Sequence, residues 1–316
     1  MNTSEFPIYS LNREEKREHL LTLLDRNFGE WVQDGIIKQT GFGQPICWHY
    51  HPHSWSVQCG GMLTPMRVFT HHLDDALVRR KALGPCESDS DLRKALRAYS
   101  GAQGVSNFSA GAAAALYHRY LPSAGGVVWD CSAGWGGRLL GALVSPRVKK
   151  YVGTEPSSLT HAGLMEMKNE LPYLLNVMGY PSPIVDLYRI GSEDFRPKPG
   201  SLSMCLSSPP YAGHEKYSDE PTQSYIKFPT NELWMNEYMR MTLENCRGGL
   251  KHDGFLVMNL ADTKAYPTLT TDFLALAKRT GFKLVETLQL ALSKMVGTDK
   301  QSASHKLEPV YAFRKS

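Results

Sequence analysis

Asp130-Cys131-Ser132-Ala133-Gly134-Trp135-Gly136-Gly137-Arg138 follows the apolar run VVWD (127–130) and leads straight into LLGALV (139–144). The run reads as a strand and the segment after it as a helix. Glycines at 134, 136 and 137 let the backbone turn tightly and approach a ligand with no Cβ in the way. Many nucleotide-binding folds share such a turn, so alone it says little about function. Its surroundings say more. Further strands are expected at KYVGTE (150–155), VDLYRI (185–190), LSMCLS (202–207), GFLVMNL (254–260), FKLVETLQL (282–290) and PVYAFR (309–314). Helical stretches at 138–144, 158–178, 231–247 and 269–280 separate most of them. From about residue 105 this alternation predicts an α/β fold with a doubly wound sheet, which binds ligands at the carboxyl ends of its strands.

The predicted strand ends carry chemistry. Glu155 closes the second strand, at the distance beyond a glycine turn where an acid accepts ribose hydroxyls. The third ends in Gly191-Ser192-Glu193-Asp194-Phe195, a second acidic terminus. Ser207-Ser208-Pro209-Pro210-Tyr211 follows the fourth. Two prolines there fix φ and remove two amide donors, leaving stiff carbonyls. Ser208 and the Pro209 carbonyl can accept hydrogens from an amine while Tyr211 offers a flat face. That combination suits a planar group bearing NH2, such as a base turned out of its stack.

In this order, residues 105–316 resemble the class I amino-methyltransferases of DNA, in which a DxxAGxGG turn follows the first strand and a (D/N/S)PPY loop the fourth. The resemblance implies a mostly parallel, seven-stranded methyltransferase sheet and S-adenosylmethionine as cofactor. It places Asp130, Ser132, Ala133, Gly134 and Gly136 in the cofactor turn, the backbone of Ala133 and Gly134 contacting the methionine end. Glu155 would hold the ribose hydroxyls and Asp194 the adenine amino group. Phe108, in SNFSAGAAAALY, resembles the FxxxxA-type segment that flanks the cofactor. Ser208, Pro209, Pro210 and Tyr211 would be the catalytic loop, acting on cytosine N4 or adenine N6. DNA is the expected partner, with RNA or a protein glutamine as the alternative and a silent nucleic-acid-binding module as the alternative of another class. The stretch AGHEKYSDEPTQSYIKFPTNELWMNEYM resembles a group of phage and bacterial DNA methyltransferases, which makes Lys216, Tyr217, Gln223 and Lys227 candidates for contact with the nucleic acid.

Residues 1–104 read as a separate extension that could recognise substrate. Asn12 and Glu15 form a capping-box pattern at the head of an expected helix over 12–33, and a second helix is expected near 74–99. Between them Cys47, His49, His51 and His53 alternate, with Cys59 nearby. A strand would set the four on one face, yet the usual zinc spacings are absent, so no metal is expected. Trp48, Tyr50 and Trp55 interleave with the histidines and read instead as a surface for stacking on bases. Target specificity is left to residues 1–100, the 212–230 loop or Ser293–Lys306.

Bulk properties set the outer limits. The 316 residues are 42% hydrophobic and 21% charged, with a net charge of +4 that permits a polyanionic partner without requiring one. The opening residues contain no apolar core of a leader, and no apolar run approaches the roughly 20 residues of a membrane helix. Six scattered cysteines without a CxxC pair are expected as free thiols. A cytosolic protein is the expectation.

Overall fold

The computed structural model describes residues 4–82, 84–210, 215–292 and 307–315. Tyr211 and Ser293–Lys306 lie outside the described residues. The expected strands form as β1 (Gly126–Asp130), β2 (Val148–Thr154), β3 (Ile184–Tyr188), β4 (Leu202–Ser207), β5 (Leu250–Asn259), β6 (Phe282–Ala291) and β7 (Leu307–Lys315). They lie side by side in the order β3-β2-β1-β4-β5-β7-β6. β1 to β5 run parallel, whereas β7 is antiparallel to both of its neighbours. Strand order therefore reverses between β1 and β4, which places the expected ligand crevice there.

Among the described residues the sheet has nine strands rather than seven. Two short strands from early in the chain, Val32–Gln33 and Ile36–Ile37, add to its far edge, and Ile36 pairs in parallel with Gln289 of β6. A strand of two residues is too short to show a period, so nothing in the sequence announced it.

Along β1 successive side chains go to opposite faces, as the two-residue repeat of a strand requires. Val128 enters a core formed with Leu139, Leu140 and Leu164, while Trp129 enters a second core with Trp234, Leu243 and Phe273. The first face is covered by α6 (Ala110–Tyr120), α7 (Gly137–Val144) and α8 (Ser158–Val177). The run of alanines in α6 allows close approach: a Cβ on Gly141 of α7 would meet the Ala110 carbonyl at 2.5 Å.

Residues 1–104 divide into two parts, neither of them one long helix. α1 (Arg13–Leu24) starts at the Asn12–Glu15 capping box and stops at Asp25, before Phe28 and Trp31 turn inward from a 3₁₀ turn. Leu20, Leu23, Trp31, Ile37 and Ile46 are buried in the same core as β1, α7 and α8. Trp31 lies so close to α6 that a Cβ on Gly111 would meet its ring at 2.1 Å. This part completes the core of the 105–316 segment, so the 104/105 boundary does not divide the packing. The expected 74–99 helix is interrupted around Gly84 and Pro85. α4 (Leu73–Lys81) and α5 (Asp89–Ala98) join α3 (Pro65–His71) around a smaller cluster of Val68, Ala76, Leu92 and Leu96.

The Cys/His segment begins in a helix, α2 (Gln44–Tyr50), not a strand. Pro45 stands in its first turn, a position that suits a residue lacking an amide donor. Cys47 and His49 lie on α2, His51 just beyond its end and His53 on a 3₁₀ turn, so the four do not alternate along one face. No group of three or more His, Cys, Asp or Glu is arranged to hold a metal among the described residues. All six cysteines lie among the described residues, are buried and form no disulfide. No helix is long and apolar enough to cross a membrane among the described residues.

Candidate active site

A cleft opens over the carboxyl ends of β1 to β4. Its floor is the turn after β1, where Ser132, Ala133, Gly134 and Trp135 all border the space. Gly134 adopts φ of 53°, a left-handed conformation that favours glycine, and the Ala133 amide is held by the Thr154 carbonyl at 2.9 Å. Asn107 Oδ1 accepts from the Gly137 amide at 3.2 Å, and a Cβ on Gly137 would strike the Phe108 carbonyl at 1.9 Å. The DxxAGxGG spacing thus lets the 107–108 segment reach the start of α7. Phe108 lines the cleft, as expected of a flanking residue.

Asp130 and Gly136 serve the turn from behind rather than facing the cleft. Asp130 is fully buried, and its Oδ2 accepts from Arg138 Nε at 2.8 Å and Tyr151 Oη at 2.7 Å. Arg138 also donates to the Ser132 carbonyl. Gly136, at φ of 79°, leaves room for Met167, whose Sδ would meet a Cβ there at 2.5 Å. Both residues shape the turn, and neither lines the space.

Glu155 does line it. One carboxylate oxygen accepts from the Gly134 amide at 3.1 Å and the other from the Ser157 amide at 2.9 Å. Burial outweighs these two donors and pushes the carboxyl up to about 7. Each oxygen keeps a second lone pair for a ligand hydroxyl.

After β3 the structure shifts the acid by one residue. Glu193 borders the cleft and is 1% exposed, whereas the Asp194 side chain points away and is half exposed. Lys227 ties the two together, donating to Glu193 and, at 2.7 Å, to Asp194 Oδ2. Adjacent acids at a strand end look alike in sequence, and only the path of the turn decides which one faces inward.

Beyond β4, Ser208, Pro209 and Pro210 border the same cleft as the glycine turn and Glu155. Tyr238 was missed in the sequence. It lies on a π-helical segment, Trp234–Met239, between α10 (Asn231–Leu233) and α11 (Arg240–Gly249). Its hydroxyl is 3.3 Å from Ser132 Oγ and 3.4 Å from Ser192 Oγ, bridging the turns after β1 and β3 at the cleft wall. Burial raises its phenol above the ordinary value. Only the extra residue per turn of a π segment, a common device at functional sites, could have flagged it, and no residue pattern encodes that locally.

The aromatic and histidine stretch is a brace, not a stacking surface. Trp48, Tyr50 and Trp55 are each at most 5% exposed. Trp135 of the glycine turn is ringed by Trp48, His51, His53 and Tyr217 at centroid distances of 5.2–6.2 Å. His51 is buried with its two nitrogens 2.8 and 3.1 Å from the carbonyls of Cys47 and Thr160, and burial lowers its pKa to about 4.

Of the four residues expected to grip nucleic acid, three are otherwise engaged. Lys227 is held by Glu193 and Asp194. Tyr217 packs on Trp135 at the cleft, and Gln223 is buried in its wall. Lys216 is exposed on the short strand Glu215–Lys216, which pairs with Gln58–Cys59.

No known family profile matches the chain, and no curated protein sequence does. Solved structures do. A TehB-like SAM-dependent methyltransferase from Corynebacterium glutamicum is 15% identical, covers 78% of this chain and all of its own, and superposes with a TM-score of 0.40. A SAM-dependent methyltransferase from Methanosarcina mazei is 11% identical over 63% of this chain and 96% of its own, at 0.42. The 16S rRNA (adenine(1408)-N(1))-methyltransferase from Catenulisporales acidiphilia is 10% identical over 67% and 95%, at 0.41.

Proposed function

We propose that the protein transfers a methyl group from S-adenosylmethionine to the exocyclic amine of a nucleic-acid base, in DNA rather than RNA. The observation that carries this reading is convergence. Ser208-Pro209-Pro210 after β4 opens onto the same cleft as the Gly134 turn and Glu155. One cleft therefore offers acceptors for a planar amine beside a site suited to a nucleoside.

The residues present fit the cofactor. Glu155 offers free lone pairs to ribose hydroxyls, the bare Gly134 backbone admits the amino-acid end, and Glu193 replaces Asp194 as the acid within reach of an adenine amino group. Bound there, the cofactor supplies a methyl group on a sulfonium. The chain's own part is positioning. An aromatic amine is a poor nucleophile because its lone pair is delocalised into the ring. Ser208 Oγ and the Pro209 carbonyl accept its two hydrogens and draw the nitrogen toward tetrahedral geometry, which frees the lone pair, while Tyr211 stacks on the base. Holding two reactants in line is worth up to ~7–11 kcal/mol in favourable cases. Ser208 is neutral, so it orients the amine and does not act as a strong base.

The test is mass spectrometry of nucleosides from DNA and RNA of cells expressing the chain, with purified protein as a third acceptor. N4-methylcytosine or N6-methyladenine in DNA that disappears in the Ser208→Ala variant supports the reading. Methyl label entering only RNA or only protein refutes the choice of DNA.

A further inference from the structure

Gln223 holds an unmet hydrogen-bond donor in the wall of the cleft. It is 4% exposed, it lines the cleft, and its Nε2 has no hydrogen-bond partner among the described residues. A buried polar group without a partner is costly, so such groups are rare and call for a reason. Its surroundings indicate which ligand would satisfy it.

The segment around it is strapped down at both ends. Glu220 accepts from the backbone amide and hydroxyl of Ser158 at 3.1 and 2.6 Å, capping α8, whose own N-cap Ser157 makes no side-chain cap. A carboxylate there also meets the positive end of the helix dipole. Thr222 Oγ1 donates to the carbonyl of Pro156, the residue after Glu155, at 3.4 Å. Lys227 then fastens to the two acids beyond β3. Residues 220–227 thus run from the end of β2 to the end of β3, across the part of the cleft that holds Glu155 and Glu193.

We infer that this strap is a built part of the cofactor site, and that Gln223 Nε2 donates to an acceptor on the cofactor's nucleoside, a ribose oxygen or a purine ring nitrogen. The inference rests on the methyltransferase reading and narrows it. The polar residues after the Ser-Pro-Pro loop serve the cofactor, not the nucleic-acid strand. The strap continues the chain from that loop, so one segment borders both halves of the reaction.

The experiment is calorimetric binding of S-adenosylhomocysteine and of methylthioadenosine, which lacks the amino-acid end, to the full-length parent and to Gln223→Met and Gln223→Glu. Loss of one hydrogen bond predicts about tenfold weaker binding of both ligands in both variants. The thermal midpoint of ligand-free Gln223→Met should be equal or higher, because an unpartnered amide is removed. A residue with a merely structural role would lower it. Parent binding with unchanged affinity in the variants overturns the role of Gln223 and leaves the methyltransferase reading standing. Normal cofactor binding with lost DNA methylation would assign the amide to the target base instead. A parent that binds neither ligand sinks the cofactor reading, and the inference with it.

Discussion

Arg138 reaches back from the first turn of α7 to place its Nε 2.8 Å from Oδ2 of Asp130, at the end of β1, with both side chains almost wholly buried. The pair spans the glycine turn, and Arg138 also donates to the Ser132 carbonyl inside it. Removing one member leaves an uncompensated buried charge. Asp130→Asn or Arg138→Met should each cost about 3–5 kcal/mol, and the double variant should recover much of that loss. Denaturant unfolding of the three variants reads this directly. Additive losses would show that the pair is not coupled.

Acidity at Glu155 gives the cleft a pH response. Its carboxyl is raised from the usual 4.5 to about 7 by burial. Its contribution to stability is therefore fully present below the unfolded value and is lost as pH rises through about 7, because the native state holds the proton longer. Cofactor affinity should run the other way, since the ionised carboxylate is the better acceptor for ribose hydroxyls. Binding of S-adenosylhomocysteine should strengthen between pH 6 and 8 in the parent and lose that slope in Glu155→Gln. Glu155→Ala should weaken binding by about 1.5–3 kcal/mol, the scale of a hydrogen bond to a charged group. Equal affinity in a folded Glu155→Ala protein removes the residue from the site.

If the loop after β4 clamps the base as proposed, the ring and the hydroxyl of Tyr211 should separate in effect. Tyr211→Ala removes a stacking partner worth about 1–3 kcal/mol, so base binding and turnover should fall while cofactor affinity holds. Tyr211→Phe keeps the ring and should retain much of the activity. Ser208→Ala should slow single-turnover methyl transfer more than it weakens substrate binding, because its acceptor matters most as the nitrogen becomes tetrahedral. If Tyr211→Ala methylates DNA at the parental rate, this loop is not the clamp.

Truncation gives a sharper result than the sequence led us to expect. As an independent recognition arm, residues 1–100 could be deleted and cofactor binding kept. Leu20, Leu23, Trp31 and Ile37 are instead buried against the sheet and its helices. Deletion should unfold the protein, and Trp31→Ala alone should cost about 3–5 kcal/mol. A truncated protein that melts cooperatively at the parental temperature would contradict this.

The seven main strands were legible because each is an apolar run bounded by turn residues, and the glycine turn because its left-handed φ favours glycine. What escaped the sequence depended on tertiary partners. Trp48 and His51 read as a surface because aromatic and histidine residues stack on bases, but they surround Trp135 instead, a partner far along the chain. α1 was drawn too long because Phe28 and Trp31 fall at helical spacing, though they enter the core from a 3₁₀ turn. Gln223 and Lys227 read as contacts for nucleic acid because their partners, the cleft wall and the acids beyond β3, come together only in the fold.

Pairing of Ile36–Ile37 with β6 joins an early segment of the chain to one near its end. The edge of β6 would otherwise offer open amides and carbonyls to any passing strand, the usual template for aggregation. The residues that shield it leave the ribosome long before their template does. During synthesis they must wait unpaired, and such distant contacts form slowly. The chain is therefore most exposed to misassembly in the interval when β6 has emerged and its cover has not yet docked.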